Sequence, residues 1–297
     1  MKSQNEIFSL PPRFAIDPRI FLPKPPLSAH RVDKHVLYEL SVQNPDFDIR
    51  FIRRVFKKKR NRNPFVLRED FCGSAYLACR WILFHSANRA VGIDIGRVLE
   101  WGYIHHVALL PARLRNRISL LHQDVRVSMP PEFDVICALN YSYFVFRKRS
   151  ELLEYFSSVH ASLNPSGIFV LDIFGGYDTR KPMEEKKTIG GKKQGFTYVW
   201  EQELFDPITH RFVAHIHFFF PDGTAIKKAF SYDWRLWSIP EVNEVLKEAG
   251  FESIEIYWEG VGKNGKGNGR FRRTESAHDD PCWNAYIVAE KSSSNRS

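Results

Sequence analysis

With 297 residues, 43% hydrophobic and 14% aromatic, the chain has enough apolar material for a full core, which excludes wholesale disorder. Its net charge of +9 is concentrated in two runs without an acid, Arg53–Arg62 with seven basic residues and Lys263–Arg273 with five, so the remainder is mildly acidic. No stretch approaches the roughly 18 apolar residues of a membrane helix, and Cys72, Cys79, Cys137 and Cys282 form no CxxC pair, as expected of reduced thiols in the cytoplasm.

Residues 1–32 hold Pro11-Pro12, Pro23 and Pro25-Pro26 without a sustained period and read as an extended arm, ahead of one domain over 33–290 and a flexible tail over 291–297. Its start has no continuous apolar segment and carries Glu6 and Asp17, so no secretory signal is expected. Helical spacing begins after Asp33 with Val36, Leu37 and Leu40, and resumes past Asn44-Pro45 with Phe51, Ile52 and Phe56. Phe65-Val66-Leu67 opens a strand that stops at Cys72-Gly73, and Ser74 is the expected N-cap of a buried helix from Ala75 to His85. Strand two is Ala90–Asp94, followed by a helix over Val98–Leu110. Ile118–Leu121 and Phe133–Ala138 are strands three and four. A helix over Arg149–Leu163 leads to strand five, Ile168–Asp172. Continuous apolar strands separated by helices predict a parallel sheet covered on both faces.

The period then changes. Phe212, Ala214, Ile216 and Phe218 alternate with Arg211, Val213, His215 and His217, flanked by Phe196–Leu204 and Ala225–Trp234. This predicts a three-stranded antiparallel insertion after strand five, within about residues 176–236. A helix near Pro240–Ala249 and strands Ser253–Trp258 and Trp283–Ala289 end the fold, around a glycine-rich segment over 260–281.

In an open parallel sheet, ligands bind at the carboxyl ends of the strands. Four successive ends here carry polar chemistry. Strand one ends in Glu69-Asp70-Phe71-Cys72-Gly73-Ser74-Ala75, where Gly73 lets backbone approach a ligand and the following helix start offers free N–H groups. Strand two ends in Asp94, at the distance from a glycine loop where a ribose diol is bound. Strand three is followed by Gln123-Asp124, suited to an adenine amino group, and strand four by Asn140-Tyr141-Ser142-Tyr143. The histidines do not cluster with carboxylates at ligand spacing, and no metal site is expected.

These motifs resemble those of class I S-adenosylmethionine-dependent methyltransferases, over roughly residues 64–290. The loop Glu69–Ala75 stands in the place of that family's acidic glycine-rich motif, with Phe71 and Ala75 where the outer glycines usually lie. The string Arg68–Gly73, with Asn268–Arg273, looks like a bacterial-type subgroup of the family. The resemblance implies a Rossmann-like α/β fold: seven mostly parallel strands, the last antiparallel, plus the three-stranded β insertion as a lid. It implies S-adenosyl-L-methionine as cofactor, bound through Glu69, Cys72, Gly73, Ser74, Asp94, Ile95, Asp124, Val125 and Asn140, with Asp94 on the ribose and Asp124 on the adenine. It further implies in-line transfer of a methyl group to an N, O or S of a small or medium-sized acceptor, positioned by Asn140, Tyr141 and Tyr232. Tyr143, Tyr177, Trp234, Arg235 and Trp237 are further candidates for that pocket, and His35 and Tyr38 for its N-terminal edge. Within the loop, Cys72 is expected as a small packed side chain in preference to a nucleophile.

Three other readings compete. A nicotinamide-dependent oxidoreductase would use the same sheet, but G-x-G-x-x-G is absent. An RNA methyltransferase could hold phosphates with Arg53–Arg62 or Lys263–Arg273, although Asn-Tyr-Ser-Tyr differs from the Asn-Pro-Pro-Tyr of many base-amino methylators. A non-catalytic nucleic-acid-binding protein with a decayed cofactor site would also explain the basic runs. The plainer explanation of those runs is a solvated face.

Overall fold

A computed structural model describes residues 17–191, 194–262 and 267–291. Two helices lead into the sheet, α1 (Lys34–Ser41) and α2 (Pro45–Arg60). Asp33 caps α1 by accepting from the His35 amide at 2.7 Å, and Pro45 sits at the first turn of α2, where its missing N–H costs nothing. The parallel core then builds in order: β1 (Val66–Asp70), α3 (Tyr76–Phe84), β2 (Arg89–Asp94), α4 (Val98–Gly102) with a π-helical turn at Tyr103–Val107, α5 (Ala112–Arg115) and β3 (Ile118–His122). It continues with β4 (Phe133–Ala138), α6 (Arg149–Ser162) and β5 (Leu163–Gly175). The last segment contributes α7 (Ile239–Glu248), β10 (Ser253–Val261), β11 (Gly267–Thr274) and β12 (Trp283–Glu290).

The main sheet has eight strands in the order β11-β10-β12-β5-β4-β1-β2-β3. Strands β1 to β5 pair in parallel, whereas β12 runs antiparallel to both β5 and β10. From Val135 onward, past an irregularity after Phe133, side chains along β4 alternate between two cores. Phe133, Ile136 and Ala138 pack on the α6/α7 face, and Val135 and Cys137 on the α2/α3 face. A strand buried on both sides must be apolar throughout, which is why these segments are legible in the sequence.

The insertion is a second, antiparallel sheet of four strands, β6 (Met183–Ile189), β7 (Phe196–Phe205), β8 (Arg211–Phe219) and β9 (Ala225–Arg235). The sequence pattern predicts three strands here and seven in the main sheet. Both additional strands, β6 and β11, are edges. β6 reads Met-Glu-Glu-Lys-Lys-Thr-Ile and β11 Gly-Asn-Gly-Arg-Phe-Arg-Arg-Thr, and both are exposed along most of their length. Charged edge strands resist aggregation, and for the same reason they show no period-two apolar signal. Leu27, from the arm, is buried against the second sheet, and the Ala29 amide donates to Thr224 at 2.9 Å. The rest of the predicted arm (1–16), part of the second basic run (263–266) and most of the tail (292–297) lie outside the described residues. No helix among the described residues is long and apolar enough to cross a membrane.

Candidate active site

Strand order reverses between β1 and β4, so the loops leaving these two strands diverge and open a cleft at their carboxyl ends. In the β1 loop, Phe71, Gly73 and Ala75 all have left-handed backbone, with φ of 54°, 53° and 57°. Phe71 and Ala75 therefore keep the shape that glycine adopts freely, at a strain of about 1 kcal/mol or more each. Packing holds them there. The Phe71 ring lies between Phe146 and Tyr155 at 5.8 and 5.5 Å, and Ala75, fully buried, caps α3. Ser74 is not the cap. Its hydroxyl donates to Glu39, whose same oxygen meets His106 Nε2 at 2.6 Å, so α1 is tied to the loop.

Asp94 locks the floor of the cleft. One carboxylate oxygen accepts from the Gly73 amide at 2.8 Å and the other from the Gly96 amide at 2.6 Å. Each oxygen still has a lone pair for a further donor. On the opposite side, Asn140 and Tyr141 are consecutive left-handed residues, both with φ of 58°, and both amides donate to Asp172 at 2.8 Å. Burial lifts the Asp172 carboxyl to about 7. The lid supplies Phe230 and Tyr232, and α1 supplies His35 and Tyr38, whose rings lie against Phe230 at 5.7 and 4.9 Å. These groups enclose about 350 Å³ lined by Cys72, Gly73, Ser74, Gly96 and Asn140.

The structure thus brings Cys72, Gly73, Ser74, Asn140, Tyr232, His35 and Tyr38 onto one cleft, with Asp94 beneath it. Ile95 stands beside it with 68% of its surface exposed. Asp124 does not line the cleft and pairs with Arg126 at 2.7 Å, while Val125 is buried in the core. Glu69 lies under the loop, where its carboxylate accepts from the Ala78 amide at 2.8 Å. Tyr141 points into a neighbouring cavity and donates to Asn284 at 2.7 Å. Tyr143, Trp234 and Trp237 are buried in the core and do not line this cleft; the Trp237 indole donates to the Phe146 carbonyl at 3.1 Å. Tyr177 and Trp237 border a separate hollow, and Arg235 stacks on Trp237. Cys72 turns its sulfur toward Gly92, and burial pushes its thiol well above the usual range, which leaves no thiolate to attack. Sequence reasoning missed Glu39, His106 and Asp172; the only signals were polar residues at positions whose neighbours are apolar. One trio among the described residues, Glu201, Glu203 and His215 on the lid, has metal-ligand spacing, and Glu203 is already paired with Lys228 at 2.8 Å.

Burial raises Glu69 to about 8. Its unfolded counterpart ionises near the ordinary carboxylate value, so the unfolded chain holds fewer protons as pH rises from about 4 to 8 and stability falls over that window. Glu69→Gln keeps an acceptor for Ala78 and is expected to flatten this fall. Melting temperatures at pH 5 and 8 that change in parallel for both proteins would contradict it.

The first basic run lies at the amino ends of the parallel strands, opposite the cleft. Lys59 bridges Glu255 and Glu290 at 2.6 and 2.7 Å, Arg60 pairs with Glu290, and Arg62 with Asp134 at the start of β4. Lys57 and Lys58 are exposed. Replacing both with Gln is expected to leave the salt dependence of any binding to single-stranded RNA unchanged; a salt slope that flattens by about 1.4, at 0.7 per phosphate on single strands, would show that this face binds nucleic acid.

No protein-family model matches the chain. Over 141 residues it is 26% identical to "Putative methyltransferase YqeM" of Bacillus subtilis (strain 168), a match covering 46% of this chain and 55% of that protein's length. Among solved structures it is similar to an S-adenosylmethionine-dependent methyltransferase from Clostridium acetobutylicum ATCC 824, with TM-score 0.59, 16% identity, and 87% of this chain and 97% of that one covered. It is also similar to S-adenosylmethionine-bound CalS10, an amino pentose methyltransferase from Micromonospora echinaspora involved in calicheamicin biosynthesis, with TM-score 0.61, 13% identity, and 87% and 96% covered. Sheet order, the antiparallel β12 and these likenesses agree: the chain has the fold of the class I S-adenosylmethionine-dependent methyltransferases.

Proposed function

We propose that the protein is an S-adenosylmethionine-dependent methyltransferase acting on a small or medium-sized acceptor. The observation that carries this reading is the meeting of Gly73 and Asn140, from two strand ends, on one cleft of about 350 Å³, with the carboxylate of Asp94, from a third, accepting from the Gly73 amide at 2.8 Å. The residues present suit the methyl donor. Nothing lies within 4 Å of where a Cβ on Gly73 would be, so backbone can meet the methionyl part. Asp94 has lone pairs left for two ribose hydroxyls, and Ile95 offers uncovered apolar surface for a purine face. In this reading Cys72, Ser74 and Glu69 shape the loop around the methionyl chain. When bound, S-adenosylmethionine supplies a sulfonium methyl to a nucleophile by in-line displacement. The protein's contribution is alignment and exclusion of water, through Asn140, Tyr141 and Tyr232 at the methyl end. The four free cysteines fit a reducing compartment such as the cytoplasm.

Removing the Asp94 carboxylate deletes a charged acceptor, a loss of roughly 1.5–3 kcal/mol. Asp94→Ala is therefore expected to weaken S-adenosylmethionine binding by ten- to a hundredfold in calorimetry, and unchanged affinity in the folded variant would refute the ribose role. Incubating the protein with methyl-labelled S-adenosylmethionine and a fractionated lysate tests the acceptor class. Label is expected in the small-molecule fraction; label confined to RNA or protein would overturn that class.

A further inference from the structure

Next to the cleft, and sharing Asn140 with it, lies a second cavity of about 260 Å³ over the ends of β4, β5 and β12. Its chemistry is unlike that of the protein as a whole. In a chain of net charge +9, its described lining includes three carboxylates, Asp48, Asp172 and Glu259, and no lysine, arginine or histidine. Among the described residues, the hydrogen bonds to them come from neutral donors. Asp48 accepts from the Tyr286 hydroxyl at 2.5 Å, Asp172 from two backbone amides, and Glu259 from the Gly269 amide at 2.8 Å. Phe271 packs on Phe47 and Tyr286 at 5.7 and 4.6 Å, so aromatic surface completes the wall.

We infer that this cavity receives the methyl acceptor, a small organic amine that enters as the ammonium, gives one proton to a cavity carboxylate, and then takes the sulfonium methyl with the freed nitrogen lone pair as S-adenosylhomocysteine leaves. This rests on the methyltransferase reading. A half-buried carboxylate without a cationic partner is costly, and among the described residues these three have none, so a ligand cation would compensate them. Burial accordingly raises Asp48 to about 6. Ring faces favour the same charge through their quadrupoles. A bare metal ion fits less well. Among the described residues, the carboxylate oxygens of Asp48, Asp172 and Glu259 do not come within 4.8 Å of one another as a ligand set. An organic ammonium fills the space between such dispersed carboxylates, its carbon frame against the rings. The shared Asn140 sets this cavity beside the place proposed for the methyl group.

Three probes with one ring and different charge test the inference: cyclohexylamine, cyclohexanol and cyclohexanecarboxylate. They are titrated into the full-length protein saturated with S-adenosylhomocysteine. Cyclohexylamine is expected to bind at least tenfold tighter than the alcohol, and the carboxylate more weakly still. Asp48→Asn, which keeps an acceptor for Tyr286, is expected to erase the amine's advantage while S-adenosylhomocysteine affinity stays within twofold. Equal binding of all three probes by the unmodified protein, or an amine preference that survives in Asp48→Asn, would overturn the amine inference with the methyltransferase reading intact. Failure of S-adenosylhomocysteine itself to bind would overturn that reading and this inference with it.

Discussion

Replacing Arg68 with leucine is expected to destabilise the protein by about 3–5 kcal/mol, the cost of leaving one member of a buried ion pair alone. Arg68 and Asp70 are both fully buried and meet at 2.6 Å. The guanidinium also donates to the Val125 carbonyl at 2.7 Å and to Ser162 at 3.1 Å, while Tyr155 donates to the other Asp70 oxygen at 2.8 Å. This network joins β1, the segment after β3 and α6 directly beneath the loop at 71–75. Since whole-domain stability is only about 5–15 kcal/mol, the variant loses a large share of it. Urea unfolding measures the effect through the midpoint at constant slope; a loss under 1 kcal/mol would show that the pair contributes little. The double variant Arg68→Leu/Asp70→Leu is expected to recover part of the loss, because it leaves no uncompensated charge.

The second large effect is on binding. Gly73→Val places a β-branched residue at a φ of 53°, a strain of about 1–3 kcal/mol, and projects two methyl groups into space that is otherwise open. The fold is expected to survive, since no neighbour contacts that position. Affinity for S-adenosylmethionine is expected to fall at least a hundredfold, about 2.7 kcal/mol. Near-normal binding by the folded variant would mean that the cofactor lies elsewhere.

How far the sequence could be read depended on what each residue faces. Strands β2, β4 and β5 lie inside the sheet and announce themselves as largely apolar runs, and the Asp94 position is set by where such a strand must stop. β6 and β11 face solvent at sheet edges and carry no such pattern. At strand ends, residue type does not reveal direction. Tyr141 and Tyr143 sit two apart in one turn, yet one reaches a cavity and the other enters the core, because the left-handed backbone at Asn140 and Tyr141 redirects the chain between them. Ser74 has the composition of a helix cap, but a carboxylate 35 residues earlier in the chain takes its hydroxyl. Local propensity could not foresee that partner. Asp48 shows the same limit. It reads as a favourable acid in the first turn of α2, whereas its burial depends on Tyr286, 238 residues away.

If the cleft at the ends of β1, β2 and β4 binds a methyl donor, isothermal titration of the purified protein with S-adenosylmethionine will show it. The titration is run beside Gly73→Val and with NADH as a control ligand. The expected result is saturable one-to-one binding of S-adenosylmethionine to the unmodified protein, its loss in Gly73→Val, and no heat from NADH. Binding of NADH, or S-adenosylmethionine binding that is indifferent to Gly73→Val, would contradict a methyl-donor site in this cleft.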